Sequence, residues 1–178
     1  RDDGTLMDRF FNRVMFPIKD AKGKTIGFSG RKMPTDQPDK DKKQPKYLNS
    51  PETEIFNKRE VIYNFHLARP HIRKTNEVYL FEGFMDVMAS YMSGVKNAVA
   101  TMGTSLTEQQ IHRLERVCED VTICYDGDSA GINATNRAIE LLTKNTAIGV
   151  QVVSLPNKLD PDDYRMMYGT DALENELL

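Results

Sequence analysis

From residue 77 onward the chain alternates between short apolar runs and longer segments with apolar residues at helical spacing. The runs lie at 78–81, 98–101, 121–125 and 150–155 and consist mainly of aliphatic, aromatic and small residues. They read as buried strands. Between them, Met85, Met88, Ala89 and Met92 fall on one helical face, and Ile132, Thr135, Ile139 and Leu142 on another. Thr107 and Gln110 have the spacing of a capping box that opens a helix with Ile111, Leu114 and Cys118 inward. After the fourth strand a short helix carrying Tyr164 and Met167 is expected, then the start of another over 171–178. Such alternation predicts an α/β fold, with a mostly parallel sheet flanked by helices and right-handed crossovers.

The first 75 residues have a different rhythm. Residues 13–18 (RVMFPI) and 25–31 read as two strands around a turn at 20–23. Pro17 lacks an N–H, which puts its strand at an edge or a bulge. Leu6, Phe10 and Phe11 are candidates to cover part of a core. Residues 34–46 hold three prolines and no apolar residue, so a mobile loop is expected there. An irregular, exposed segment follows. A helix within 60–74, carrying Val61, Ile62, Phe65 and Leu67, is expected to end at Pro70. We therefore expect a smaller basic α+β unit over 1–75 and the parallel-sheet unit over 76–178.

Charge divides the chain in the same place. Residues 1–74 hold 17 Lys+Arg against 10 Asp+Glu, whereas residues 75–178 hold 7 against 16. The basic half suits phosphates; the acidic half would repel them unless divalent cations intervene. No apolar run approaches the length of a membrane span and no signal peptide is visible. Cys118 and Cys124 match no zinc pattern and read as core thiols, and His66, His71 and His112 have no ligand-like spacing. A reducing cytoplasm is the expected compartment. The chain starts at Arg1, and we read it as part of a longer protein.

Three acid clusters then stand out. Glu82 follows the first buried strand, Asp126 and Asp128 follow the third, and Asp160 and Asp162 come shortly after the fourth. Parallel strands end on one side, so these five share one edge of the sheet, where open α/β sheets bind ligands. Asp86 lies one helical turn beyond Glu82 and joins them as a weaker member. Asp128 or Ser129 also suits a simple helix cap. Many carboxylates gathered at one edge resist ionisation, and Mg2+ resolves that conflict with a few carboxylates, water and substrate phosphate.

Glu82-Gly83 and Asp126-Gly127-Asp128 resemble the acidic motifs of the Toprim domain, a metal-binding catalytic module, over residues 77 to about 165. Further segments resemble the catalytic core of bacterial replicative primases: 13–18, 27–31 (GFSGR), 45–53 (PKYLNSPET), 81–87 (FEGFMDV), 100–104 (ATMGT) and 160–163 (DPDD). Ser29 stands where many relatives carry Gly. The resemblance implies synthesis of short RNA primers on single-stranded DNA from ribonucleoside triphosphates, with Mg2+ or Mn2+. It implies metal binding by Glu82, Asp86, Asp126, Asp128, Asp160 and Asp162, with Glu82, Asp126 and Asp128 catalytic. It places Arg13, Arg31, Lys46, Asn49 and Lys58 near substrate or template–primer. It also implies a monomeric piece, without zinc, of a protein that meets the replicative helicase through another domain at the replication fork. Two other readings are a strand-cleaving Toprim enzyme, topoisomerase- or nuclease-like, and a non-catalytic nucleic-acid-binding module.

Overall fold

The computed structural model describes residues 4–6, 8–34, 45–103 and 105–178. Most of the expected loop at 34–46 therefore lies outside the described residues.

Strands β1 (Arg13–Lys19) and β2 (Thr25–Lys32) pair antiparallel. The Asp20 carboxylate closes their turn by accepting the N–H groups of Lys22 and Lys24 at 2.8 and 2.9 Å. Strand β3 (Tyr47–Asn49) joins the far edge of β2, giving the order β1-β2-β3. Pro17 thus sits in an edge strand, as its missing N–H requires. The segment expected to be irregular is in part a strand. Tyr47, Leu48 and Asn49 use the free edge of β2, while the Arg13 guanidinium holds their approach by donating to the carbonyls of Gly30 and Pro45, each at 3.0 Å.

The first helix also departs from expectation. Val61 and Ile62 are buried ahead of it, and α1 (Phe65–Thr75) runs through Pro70 instead of stopping there. Pro70 is in the second turn, where it forfeits one backbone bond and its fixed φ still suits a helix. Asn76, in left-handed conformation, ends α1, and Leu67 is half exposed rather than buried.

The second sheet is parallel, in the order β5-β4-β6-β7, from β4 (Glu77–Phe81), β5 (Ala98–Ala100), β6 (Asp120–Ile123) and β7 (Gly149–Val152). The connecting helices are α2 (Phe84–Met92), α3 (Glu108–Leu114) and α4 (Ser129–Asn145); α5 (Pro161–Tyr168) and α6 (Thr170–Leu177) complete the chain. Successive strand residues point to opposite faces. Val78, Leu80, Val121 and Ile123 therefore enter one core with Ile72, Leu114 and Leu142 of α1, α3 and α4. Tyr79, Phe81 and Cys124 enter the other, with Val87, Tyr164 and Leu173 of α2, α5 and α6. Both cysteines are buried free thiols. Among the described residues no helix is long and apolar enough to cross a membrane.

Two helical faces are rotated from the expected ones. On α2 the buried residues include Phe84, Val87 and Ala89, while Met92 is exposed. This helix is wedged between two layers: Val87 meets the parallel sheet, and Phe84, Met85 and Met88 meet the antiparallel one. On α4, Ala138 and Leu142 face the core with Ala134 and Ile139 beside them, while Ile132 is exposed. Met167 of α5 is exposed as well; Tyr164 is its buried anchor. The Thr107–Gln110 capping box forms as expected.

Candidate active site

In the parallel sheet, β4 connects outward to β5 on one side and β6 to β7 on the other. Such a reversal opens a crevice at the carboxyl ends of the two central strands. Glu82 follows β4 directly, and Asp126 lies three residues past the end of β6. A cavity of about 480 Å3 occupies this crevice, and Glu82, Asp86, Asp126, Asp160 and Asp162 all line it. The opposite wall is supplied by the antiparallel sheet through Arg31, Lys46, Tyr47 and Asn49. One cleft therefore has an acidic wall and a basic wall.

Glycine sets how closely the acid loops approach. A Cβ on Gly127 would fall 2.7 Å from the Lys158 Cα, and one on Gly131 would overlap the Asp126 carbonyl oxygen. The loop before α5 thus rests directly on the Asp126-Gly127-Asp128 turn and carries Asp160 toward Asp126. Two of the acids also cap helices. Asp128 accepts the Gly131 N–H at 2.8 Å at the start of α4, and Asp160 accepts the Asp163 N–H at 2.7 Å at the start of α5. Capping and a role in the cleft are compatible for Asp160, whose carboxylate has a second oxygen. Asp128 does not line the cavity, although its charge reaches Glu82 and Asp126.

The carboxylates are electrostatically frustrated. Asp86 is 7% exposed, and burial, followed by the charges of Asp160 and Asp126, pushes its pKa up to about 8. Burial first, then neighbouring acids, also raises Glu82 and Asp126 above the carboxylate range. Asp160 is raised chiefly by burial and held back by the Asp163 N–H and by Lys46. Glu82 Oε1 is buried without a hydrogen-bond partner. One of the acids has a basic partner that the sequence reading did not foresee: Asp162 pairs with Arg165 at 3.4 Å.

On the basic wall, the Arg31 guanidinium and the Lys46 ammonium stand 5.9 and 5.7 Å from the centroid of the Tyr47 ring. Arg13 lies outside the cleft and supports it by holding the Pro45 carbonyl. Lys58 is also outside; its backbone bonds Glu52 and Gln110. Sequence reasoning missed Tyr47, Met102 and Asp163 as lining residues. Tyr47 had a signal, an aromatic beside a lysine in a basic segment, but its strand was not foreseen.

Residues 1–69 match the N-terminal domain of the DNA primase catalytic core, and residues 79–165 match a Toprim-like domain. A DNA primase of Enterococcus faecalis is 59% identical over 175 residues, covering 98% of this chain and 28% of that protein. The chain belongs to the DNA primase family. Among solved primases, the zinc-binding and RNA polymerase domains from Aquifex aeolicus superimpose with a TM-score of 0.87 at 37% identity, over 98% of this chain and 41% of that one. A primase catalytic domain bound to ssDNA superimposes with a TM-score of 0.81 at 40% identity, over 96% and 52%. The chain thus spans a little over a quarter of the curated primase's length.

Toprim primases use a divalent metal. The acid wall suits one: oxygen donors are what a hard cation takes, and its charge would relieve the mutual repulsion that raises Asp86, Glu82 and Asp126. Among the described residues, no three Asp, Glu, His or Cys side chains already stand in an arrangement that would hold an ion.

Proposed function

We propose that this chain is the nucleotidyl-transfer core of a DNA primase, which joins ribonucleoside triphosphates into short RNA primers on a single-stranded DNA template. The observation that carries the reading is the single cleft with acids on one wall and cations on the other. Residues 1–75 form the basic unit and 76–178 the metal-binding Toprim unit. Glu82, Asp126, Asp160 and Asp162 hold Mg2+ or Mn2+, with Asp86 and Asp128 beside them. The bound cation neutralises charge on the phosphate undergoing transfer.

The chain's own residues do the positioning. Lys46 and Arg31 hold phosphate oxygens across the cleft from the acids, and Asn49 offers an amide to the same strand or nucleotide. Arg13 keeps the Lys46 segment in place through the Pro45 carbonyl. Lys58 meets the nucleic acid beyond the cleft. Buried Asp86 and half-buried Glu82 stand in a poorly solvated wall, which strengthens each charge interaction there. The same reading takes the chain as a monomeric piece of a cytoplasmic protein of the replication fork, with the helicase contact on another domain and no zinc ligands here.

The test is primer synthesis on single-stranded DNA by the full-length protein carrying Glu82→Gln or Asp126→Asn. Loss of one ligand should cost several kcal/mol of transition-state stabilisation, or about a hundredfold in rate. Parental rates in both variants would refute the site.

A further inference from the structure

A second cavity, of about 220 Å3, lies behind the acid wall. Glu82 and Gly103 border both cavities, so the Glu82 side chain is part of the partition between them. The rear cavity is bounded further by Thr101, Ser105, Tyr125 and, from α4, Ala134 and Arg137. Tyr125 immediately precedes Asp126, at the end of the strand beside the one that bears Glu82. Its ring is only 9% exposed and its hydroxyl is buried.

Two polar atoms of residues that line this cavity are buried with no hydrogen-bond partner of good geometry: Glu82 Oε1 and the Tyr125 hydroxyl. The Asp126 N–H bonds the Glu82 carboxylate, and the Thr101 side chain stands beside the phenol hydroxyl. The negative charge of Glu82 is felt at the Tyr125 hydroxyl. A buried polar atom left unpaired costs about 1–3 kcal/mol, which Phe at position 125 would avoid. The cavity has room for several waters at about 30 Å3 each, and its rim offers the polar partners that ordered water needs. A ligand carboxylate that must point one oxygen forward gains from a partner that fixes the other behind.

We propose that Tyr125 is a positioning residue whose hydroxyl, through water in the rear cavity, fixes the orientation of the Glu82 carboxylate toward the cleft. This rests on the reading of Glu82 as a metal ligand. The test titrates Mn2+ binding by electron paramagnetic resonance in the full-length protein, for the parent, Tyr125→Phe, Glu82→Gln and the double variant. Tyr125→Phe should weaken Mn2+ affinity about tenfold and add nothing in the Glu82→Gln background. If Glu82→Gln loses affinity while Tyr125→Phe keeps all of it, the inference is overturned and the metal reading stands. An equal loss from Tyr125→Phe in both backgrounds also overturns it, since Tyr125 would then act without Glu82. Parental affinity in Glu82→Gln overturns the metal reading and the inference together. Should Tyr125→Phe fold poorly, Ala134→Phe takes up much of the rear cavity and leaves every hydroxyl in place. It should weaken Mn2+ affinity in the same direction, and full affinity there overturns the inference.

Discussion

Replacing Asp86 with Asn should make the metal-free protein more stable at alkaline pH and no more stable at acid pH. Asp86 is buried on the first turn of α2, and its pKa is raised from 3.8 to about 8 by burial and then by Asp160 and Asp126. In the unfolded chain the group ionises near 3.8, whereas in the fold it keeps its proton to about pH 8. Between those values the folded state binds more protons than the unfolded one, so stability falls as pH rises. The contribution is fully present below the unfolded pKa and is lost as pH rises through the folded one. Each pH unit in that window costs about 1.4 kcal/mol, for a ceiling of about 6 kcal/mol, which relaxation of the site would reduce. Asn cannot ionise, so the variant lacks this slope. Asn offers one acceptor oxygen in place of two to the N–H groups of Gly83 and Asp162 that the carboxylate now faces, which lowers the variant by about 1–2 kcal/mol at every pH. The two stability curves should therefore cross. The assay is urea unfolding with a chelator present, at intervals from pH 4.5 to 9, for both proteins. A constant difference between parent and variant across that range would refute the reasoning, because it would show Asp86 ionised in the fold throughout. Adding Mg2+ should flatten the parent's slope, since a bound cation favours the carboxylate.

Other features carry their own tests. Lys46→Ala should weaken binding to single-stranded DNA and lower the salt-dependence slope by about 0.7, the value of one phosphate contact, with little change in melting temperature; an unchanged slope would remove Lys46 from the interface. Gly127→Ala should destabilise the protein by about 1–3 kcal/mol, because its Cβ meets the Lys158 backbone rather than a yielding side-chain end; chemical denaturation measures this, and a neutral result would mean the two loops separate easily. Gln110→Ala removes the N3 partner of the capping box and a buried bond to the Val61 carbonyl at 2.7 Å. It should cost about 2–3 kcal/mol in denaturant unfolding, and less than 1 kcal/mol would show that water replaces the amide.

The parallel sheet was legible because β4, β5 and β6 are buried on both faces, so continuous apolar runs left little ambiguity. The acid edge followed from strand direction alone: parallel strands ending in Glu82 and Asp126 must deliver both to one side. What the sequence hid depends on neighbours distant in the chain. Strand β3 has three residues and exists because β2 offers an edge. The buried face of α2 is split between two layers, so no single helical period describes it. Pro70 forfeits a backbone bond in the second turn, and the helix continues because Ala68 and Ile72 on either side of it are anchored in the core. At the site, sequence showed which side chains carry charge but not which walls they occupy. Lys58 and Lys46 look alike in the chain, and only folding separates them.

Phe84 has a consequence for the cleft as a measuring device. It lies two residues after Glu82, and its ring meets Phe16, Tyr47 and Tyr63 at centroid distances of 4.8, 5.2 and 5.5 Å. Tyr47 belongs to the opposite wall. One aromatic ring thus acts as a spacer bar between the two sides, anchored within the same turn of chain that bears the first acid. The gap between cation and carboxylate is set by ring dimensions, and rings do not compress. A ligand entering the cleft meets a gauge of fixed width, and any change in ring size at position 84 resets that gauge without touching a charge.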